Sequence, residues 1–442
     1  MGLKKSVSGV FFPPQKISNG AIEDTPLPKR VVLPLDRSCT PVVEVGEQVK
    51  TGQLVGRSDD FLAAPVHASV SGKVTDLRPW FDPRGNELLS VIVASDGNDD
   101  WEEELLTDKS FLEKERGQIL RNLKAAGVVE IGSPSMPLHA KFAQPERPKE
   151  FLFLVGIPRA KPLDTVIING IDAEPGMAAK GAVLQKNSSE ILAGIKIIQK
   201  LLDEAQVVLA VGSNGSLTAP LTSELAGLGV KVFQGKYKYP TGLNPILIKC
   251  VTGREIPLPH GNEQDIGVAV VDAVSLLHLV EAVRDLKPQV DKVVSLSGAG
   301  MTAVKNFRVR LGTVVQDLME QLSGLESEPV KVIAGGAMTG AALMNTNIPI
   351  TKETDALIFQ TATEAKRFSQ DACINCGLCV RHCPSRLLPN ELSKYCEFSM
   401  FEEARDKYLL HCIECGICAY VCPEKRPMLH LMRYGKSELS LA

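Results

Sequence analysis

The alternation of apolar and polar residues changes character in successive parts of the chain. In the first hundred residues, β-branched residues interrupted by glycine and proline predict short strands of a small antiparallel sandwich. The charged stretch Asp99–Arg121 predicts a connecting helix. From about Gly127 onward, continuous apolar runs alternate with amphipathic stretches, which predicts the parallel sheet of a Rossmann-like domain. Its predicted elements are strands at Thr165–Ile168, Val207–Val211, Val230–Phe233 and Val268–Val271 and helices at Ser188–Ala205 and Ser275–Val283.

Strand-rich patterning returns between about Lys292 and Ala341, around a helix predicted at Thr313–Leu322. This arrangement favours a small β-grasp-like module, with strands at Val293–Leu296, Phe307–Val309 and Val332–Ile333. The segment from about Ser369 to Leu431 is too short and too interrupted by turns to bury a hydrophobic core. This helical tail contains closely spaced cysteines, and metal clusters bound to them would have to form its core.

The predicted fold class is α/β multidomain. The predicted domains are a β-rich, barrel-sandwich-like and lipoyl-like module over residues 1–105, a Rossmann-like domain over 106–290, a β-grasp-like module over 291–360, and a helical two-cluster ferredoxin-like domain over 361–442. A chain of 442 residues is long enough for several such cores.

Composition excludes some classes of partner. The net charge is −3 and aromatic residues make up only 5% of the chain, so neither a polybasic surface nor a base-stacking platform for nucleic acid is expected. No run of eighteen apolar residues occurs, so no direct membrane span is expected. Met1–Lys5 lacks an apolar signal core, which predicts a cytoplasmic location, with membrane attachment through protein partners.

Eight of the eleven cysteines form two quartets near the C-terminal end. The first comprises Cys373, Cys376, Cys379 and Cys383, followed by Pro384; the second comprises Cys412, Cys415, Cys418 and Cys422, followed by Pro423. Three cysteines at three-residue intervals can wrap one [4Fe-4S] cubane, while the fourth reaches the neighbouring cluster. This spacing predicts one cluster on Cys373, Cys376, Cys379 and Cys422, and another on Cys412, Cys415, Cys418 and Cys383. Zinc is disfavoured, because zinc sites more usually show two CxxC pairs.

Beyond these quartets, the sequence resembles the C subunit of the Rnf ion-translocating electron transport complex over nearly its whole length. Residues 64–74, 167–170, 251–257, 335–340 and 412–427 carry the resemblance. Typical members have a central domain similar to the NADH-binding flavoprotein subunit of respiratory complex I, with FMN on a glycine-rich loop. The N-terminal segments Val45–Leu54 and Ala64–Val74 separately resemble biotinyl and lipoyl carrier domains. No lysine lies between Leu54 and Ala64, so an unmodified structural version is predicted.

The resemblance implies a flavin and nicotinamide site on two motifs of the central domain. The stretch Glu130–Lys141 matches the glycine-rich loop, and Asn169–Pro175 matches a second motif. The implied cofactor-binding residues that remain are Gly132, His139, Lys141, Asn169 and Glu174.

Both motifs depart from the family pattern. Ser133 and Ser135 replace glycines, and Pro134 replaces the alanine between them. Proline removes an N–H donor, and side chains at glycine positions obstruct the close approach of a phosphate. An acid of the second motif is shortened to Asp172. These substitutions disfavour FMN binding and NADH chemistry, which the resemblance itself implies.

Two hypotheses therefore remain open, and a third is weaker. The chain could be an electron relay that has lost nicotinamide chemistry, or a catalytic FMN-containing NADH:acceptor module; the third is a soluble ferredoxin-like adaptor. The altered loop favours the relay, and family membership favours the catalytic module. The resemblance implies a peripheral subunit of an ion-translocating oxidoreductase on the cytoplasmic side of the cell membrane. Its partners would be membrane and peripheral subunits, and an electron carrier such as ferredoxin, a cytochrome or NADH.

Overall fold

The computed structural model describes most of the chain. The described residues are 8–12, 17–36, 38–102, 107–130, 135–143, 161–213, 217–236, 238–298, 301, 303–322, 329–365, 367–369 and 371–441. Their strands belong to four larger sheets and one short β9–β10 pair, and their last helices form a separate cysteine-rich bundle.

Two small antiparallel sheets form the first module, with strand orders β2-β8-β7-β4 and β3-β5-β6. Their apolar faces share one core, in which Val31, Val74 and Val93 are fully buried. The β-rich sandwich predicted for this region is therefore present. The strands are β2 (Arg30–Pro34), β3 (Thr40–Pro41), β4 (Gln48–Val49), β5 (Leu54–Arg57), β6 (Val66–His67), β7 (Gly72–Phe81) and β8 (Glu87–Ser95).

A four-stranded parallel sheet with the order β13-β12-β11-β14 forms the central domain. Alternate residues of β11 enter different cores, since Val166 and Ile168 pack on one face and Ile167 on the other. Burial on both faces explains the continuous apolar runs. The elements are α1 (Arg116–Ala126), β9 (Val129–Glu130), β10 (Met136–Pro137), α2 (Leu138–Phe142), β11 (Thr165–Gly170), α3 (Ala179–Lys186), α4 (Ser188–Leu201), β12 (Gln206–Val211), α5 (Ala219–Gly227), β13 (Lys231–Gln234), α6 (Asn244–Thr252), β14 (Val268–Asp272) and α7 (Ala273–Arg284).

A six-stranded mixed sheet follows, with the order β1-β16-β15-β19-β17-β18. Its edge strand β1 (Ile17–Asp24) precedes the sandwich in sequence but pairs in parallel with β16. Val315 and Leu318 of helix α8 pack into the core of this sheet. The remaining elements are β15 (Asp291–Gly298), β16 (Val304–Arg310), α8 (Val315–Gln321), β17 (Lys331–Ala334), β18 (Ala341–Ala342) and β19 (Ala356–Gln360).

Five helices form the cysteine-rich tail. They are α9 (Leu378–His382), α10 (Pro389–Glu397), α11 (Phe401–Asp406), α12 (Ile417–Tyr420) and α13 (Met428–Leu441). The tail's own hydrophobic cluster includes Leu392, Leu409 and Met432, together with cysteines of both quartets. The cysteines predicted as cluster ligands therefore make up part of the interior of this bundle.

The helix predicted over Asp99–Arg121 begins later than the sequence indicates. Helix α1 starts at Arg116, and among the described residues before it Phe111–Glu113 forms a 3-10 turn. The Asp108 carboxylate accepts hydrogen bonds from the backbone and hydroxyl of Ser110 and pairs with Lys114. Such local side-chain bonds compete with helix formation.

Candidate metal centres and the predicted flavin site

Three cysteines of the first quartet and the last cysteine of the second surround one cavity. This cavity has a volume of about 310 Å³ and is lined by Cys373, Cys376, Cys379 and Cys422. We call these four residues the outer site, because Cys376 is exposed to solvent. The tertiary structure thus brings together the four ligands that the spacing predicts for one cluster.

A second cavity, of about 350 Å³, is lined by the complementary set of cysteines. These are Cys412, Cys415 and Cys418 of the second quartet and Cys383 of the first, and we call them the inner site. Helix α9 and its C-cap carry Cys379 of one site and Cys383 of the other. The two cavities are therefore connected by roughly one helical turn of chain (~6 Å).

The two cysteine loops have the same backbone conformation. Asn375 and Glu414 lie between the first and second cysteines of their quartets, with φ of 54° and 55°. Each donates its backbone N–H to the sulfur of the cysteine two residues earlier, at 3.4 Å. Gly377 and Gly416 both have φ of 73°. This internal repeat turns N–H groups toward the sulfurs, a contact that stabilises thiolate ligands.

The environments of the two sites differ although their backbones match. Ile374 in the outer loop is 60% exposed, whereas Ile417 beside the inner site is completely buried. Cys415 and Cys418 are 8% and 7% exposed. The outer site therefore faces solvent, and the inner site faces the rest of the protein.

Two contacts tie the tail to the other domains beside the inner site, and a third within the tail holds one of them to the inner loop. The Tyr239 hydroxyl donates to the carbonyl oxygen of Cys415 at 2.6 Å. Arg433 of helix α13 donates to the carbonyl of Thr339 at 2.8 Å and pairs with Glu414 at 2.9 Å. The inner loop is consequently held by the central domain and by the turn that follows β17.

The donor set of both cavities fits a [4Fe-4S] cluster, which takes four cysteine thiolates. Burial raises the pKa of Cys415 to about 12, and burial also raises the pKa of Cys412 and Cys418. In the absence of iron these side chains are neutral thiols. Cluster binding must therefore displace their protons, which makes cluster retention dependent on pH.

Most of the residues predicted to bind flavin are instead bonded to other groups of the protein. Gly132 lies outside the described residues. Lys141 is buried, donates to the carbonyl of Val270 at 2.6 Å and pairs with Glu263 at 2.8 Å. Burial lowers the pKa of Lys141, but the carboxylates of Glu263 and Glu130 outweigh it and raise the pKa above its usual value. Lys141 is thus a charged group already neutralised within the protein.

His139 is held by the first module. Its Nε2 donates to the carbonyl oxygen of Phe61 at 2.8 Å, and the two rings meet edge to face at 5.2 Å. Burial lowers the pKa of His139, so its ring is neutral near pH 7. Nδ1 is buried and has no hydrogen-bond partner within the described part of the chain.

Asn169 lies near the carboxyl end of β11, where its side chain bonds to two loop segments. Its side-chain amide donates to the carbonyl of Gly242 at 2.9 Å, and its oxygen accepts the backbone N–H of Ile171 at 3.1 Å. Both ends of the amide are therefore engaged, and they connect the loop after β11 with the segment before α6.

Glu174 is bound by the glycine-rich turn after β17. Its carboxylate accepts the backbone N–H groups of Met338 at 2.7 Å and Thr339 at 3.0 Å, as well as the Thr339 hydroxyl. A side chain at Gly336 would overlap this carboxylate, which explains the glycine. The turn is a nest of N–H groups for an anion, and the anion is a side chain of the protein.

Two carboxylates occupy the N-terminus of helix α7. Asp272 caps the helix by accepting the N–H groups of Val274 and Ser275, at 2.8 and 2.9 Å. The Asp272 N–H donates in turn to Glu130 Oε1 at 3.0 Å. Burial, together with the Asp272 carboxylate, raises the pKa of Glu130 to about 8. A helix N-terminus is a common seat for phosphate, but here two acids fill it.

The described residues therefore do not fit an FMN phosphate at this edge of the sheet. Asn169 and Glu174 have their polar atoms bonded to protein groups, and Lys141 is paired with the partly buried carboxylate of Glu263. Tyr239, which belongs to no cluster motif, and Glu130 were not predicted as site residues from the sequence. An acid beside a presumed phosphate loop is the signal that could have identified Glu130.

Three family models match the chain. The RnfC barrel sandwich hybrid domain matches residues 5–98, the Nuo51 FMN-binding domain residues 123–281, and the 4Fe-4S dicluster domain residues 365–423. The chain is thus a mixed α/β multidomain protein with these three domains, and the prediction of two [4Fe-4S] clusters is confirmed by the third match.

Curated relatives are similar over almost the whole chain. The C subunit of the proton-translocating ferredoxin:NAD(+) oxidoreductase complex of Clostridium ljungdahlii is 34% identical over 95% of this chain and 90% of its own length. The C subunit of the Na(+)-translocating ferredoxin:NAD(+) oxidoreductase complex of Acetobacterium woodii is 31% identical, covering 93% and 91%. The C subunit of the ion-translocating oxidoreductase complex of Rhodobacter capsulatus is 32% identical, covering 95% and 80%.

Among solved structures, a chain of an NAD+-reducing [NiFe]-hydrogenase in the H2-reduced state is similar in fold. The TM-score is 0.50 with 13% identity, over 74% of this chain and 65% of that one. None of the helices in the described ranges has both the length and the apolar character needed to cross a membrane.

Proposed function

The chain belongs to the family of Rnf complex C subunits, and on this premise we propose that it relays electrons through two [4Fe-4S] clusters without a flavin step. One observation carries the proposal: each cavity is lined by three cysteines of one quartet and the last cysteine of the other. A [4Fe-4S] cluster in such a site accepts and releases single electrons. The chain's own residues bind the clusters, hold them close together and exclude water from one of them.

The proposed ligands of the outer site are Cys373, Cys376, Cys379 and Cys422, and those of the inner site are Cys412, Cys415, Cys418 and Cys383. Two short segments support the proposal that each quartet gives its fourth cysteine to the other site. Helix α9 and its C-cap connect Cys379 of the outer site to Cys383 of the inner site, and helix α12 and the residues after it connect Cys418 of the inner site to Cys422 of the outer site. Short separation favours rapid electron transfer between the sites.

The solvent exposure of the two sites indicates which of them an external electron carrier can contact. Exposed Cys376 and Ile374 make the outer site the position where an external electron carrier can approach. The buried inner site contacts Tyr239 and the turn at Thr339, so it faces the chain's own central domains. The carrier that meets the outer site is ferredoxin, a cytochrome or another subunit.

We propose further that this chain is a peripheral subunit on the cytoplasmic side of the cell membrane, in a complex that couples electron transfer to ion translocation. The names of the relatives describe ion-translocating oxidoreductases, two of them using ferredoxin and NAD+. Membrane and peripheral subunits of an Rnf-type complex are then its partners, and enzymatic activity belongs to the assembly.

We also propose a more specific fold type for each domain. The four-stranded parallel sheet supports a Rossmann-like domain over 106–290. The two small sheets, whose strands lie between Arg30 and Ser95, support a lipoyl-like module within the predicted range 1–105, although strand β1 of that range pairs with β16. The order β16-β15-β19-β17, with a parallel central pair, supports a β-grasp-like module over 291–360. The ferredoxin-like label for 361–442 rests on the shared cysteine loops.

A second candidate is the catalytic FMN-containing NADH:acceptor module, favoured by the match of residues 123–281 to a flavin-binding domain. Anaerobic purification separates the two by iron content, acid-released flavin and the response to NADH. The relay predicts about eight iron atoms per chain, no stoichiometric flavin and no bleaching of the clusters by NADH. Stoichiometric FMN with NADH-dependent bleaching contradicts the relay, and fewer than about four iron atoms contradict both.

A further inference from the structure

Tyr239 connects the central domain to the inner site through two sets of contacts. Its hydroxyl donates to the carbonyl oxygen of Cys415 at 2.6 Å, and its backbone pairs with Val10 at 2.9 and 3.0 Å. The side chain is only 4% exposed. A segment near the N-terminus therefore fixes a tyrosine of the central domain against a proposed cluster ligand of the tail.

An apolar wall surrounds this contact. The rings of Phe12 and Tyr239 lie 5.6 Å apart, and Leu243 and Met338 pack into the same cluster with the buried Ile417. Cys415 is itself a buried member of this cluster. Water would reach the sulfur of Cys415 more easily if the tyrosine were removed.

Among the described residues, nothing packs in the same way on the matching glycine of the outer loop. A Cβ placed on Gly416 of the inner loop would come within 2.5 Å of the Met338 carbonyl, whereas one on the matching Gly377 of the outer loop would meet nothing within 4 Å among the described residues. Both glycines have the same φ of 73°. The difference therefore arises from what packs on the two loops and not from the loops themselves.

We propose that Tyr239 is a positioning residue for electron transfer, which sets the reduction potential of the inner site apart from that of the outer site. The inference rests on the ligand sets proposed above. A hydroxyl donor on a ligand's carbonyl places positive charge near the cluster, which favours the reduced, more negative state. The buried ring also keeps solvent out, and solvent exposure is a further determinant of cluster potential.

The test is potentiometric EPR on the full-length chain carrying Tyr239→Phe. This substitution keeps the ring and the wall but removes the hydrogen bond. We expect unchanged iron content, a more negative midpoint potential for one cluster and an unchanged midpoint for the other. A role in packing alone predicts no shift, because phenylalanine fills the same space.

Tyr420→Phe is the matched control. Tyr420 follows the inner-site ligand Cys418 and stacks edge to face on Phe12 at 5.2 Å, but it is 54% exposed. Its hydroxyl makes no hydrogen bond to the residues that the structure describes. The control should leave both midpoints at their wild-type values.

Cys415→Ser and Cys376→Ser assign the two signals, since a serine ligand alters the spectrum of its own cluster. The proposal is overturned if Tyr239→Phe moves neither midpoint, or if it moves the signal altered by Cys376→Ser. A wild-type chain with fewer than two cluster signals would instead refute the proposed function. The two failures are therefore distinguishable.

Discussion

The cysteine-rich tail and the carboxyl edge of the central sheet both concentrate polar side chains, but they use them differently. In the tail, eight sulfurs converge on two cavities of about 310 and 350 Å³. At the sheet edge, Lys141, Asn169 and Glu174 are bound by backbone groups or by other side chains. In the tail the cysteine side chains line two cavities, whereas at the sheet edge the polar side chains contact other groups of the protein.

The difference teaches how a ligand site can be recognised from donor atoms. Four cysteine side chains that converge on one cavity are the donor set of a [4Fe-4S] cluster. Polar side chains that already have protein partners have less need of a ligand. The tail therefore presents a cofactor site, whereas Lys141, Asn169 and Glu174 at the sheet edge contact protein groups. His139 Nδ1 and Glu130 Oε2 are buried there without a hydrogen-bond partner among the described residues, and residues 123–281 match a flavin-binding domain.

The largest expected effect follows from removing a cysteine that one quartet contributes to the cluster of the other. Cys383→Ser removes an inner-site ligand from within the first quartet, so the signal altered by Cys415→Ser should be lost or changed. Iron should fall from about eight toward about four atoms per chain. The control is Cys396→Ser, a buried cysteine outside both cavities. Loss of the outer-site signal in Cys383→Ser would show that each quartet binds its own cluster.

The next effect concerns the sheet edge. Lys141→Met removes the cation from Glu263, whose partly buried carboxylate keeps the Val270 N–H as a partner, so the free energy of unfolding should fall by about 3 kcal/mol, the lower end for a broken buried ion pair. Chemical denaturation measures the loss, and Lys141→Met with Glu263→Gln should recover part of it. If the single variant instead loses bound flavin at unchanged stability, the sheet edge is a cofactor site after all.

The pH dependence of stability provides a sharper test of the same edge. Because the pKa of Glu130 is raised from 4.5 to about 8, its contribution is present below pH 4.5 and is lost as pH rises through about 8. Each pKa unit corresponds to about 1.4 kcal/mol, so the loss amounts to a few kcal/mol. The neighbouring Lys141 and Lys180 have raised pKa values and Asp272 a lowered one, so they keep their charges across this window.

Glu130→Gln cannot ionise and should not show this loss. Unfolding free energies of the variant and the wild type, measured between pH 5 and pH 9, should therefore diverge in favour of the variant as pH rises. Parallel curves would mean that Glu130 is ionised in the folded chain throughout this pH range.

The smallest effect compares the two cysteine loops. Gly377→Ala and Gly416→Ala both place a side chain at φ of 73°, which costs roughly 1–2 kcal/mol. Only Gly416→Ala also collides with the Met338 carbonyl, so it should destabilise the chain more and release iron from the inner site sooner. Equal losses of iron would show that the inner loop is not packed against the turn after β17.

The elements of the fold followed closely from local pattern. Thr165–Ile168 was predicted as a strand and forms β11 at Thr165–Gly170, and the helix predicted over Ser188–Ala205 forms α4 at Ser188–Leu201. Pairing over long distances did not follow. Strand β1 is not part of the sandwich but pairs with β16, nearly three hundred residues away. Its pattern of apolar and polar residues does not indicate which strand it pairs with.

The sequence by itself determined the chemistry of the tail, because the three-residue spacing and the cysteine-proline endings fix how one chain can wrap two clusters. Only the tertiary structure decided the rest. It made one site exposed and the other buried, by packing Tyr239 and the turn at Thr339 against the inner loop. It also committed Lys141 and Glu174 to the protein itself, since burial and hydrogen bonding depend on residues distant in sequence.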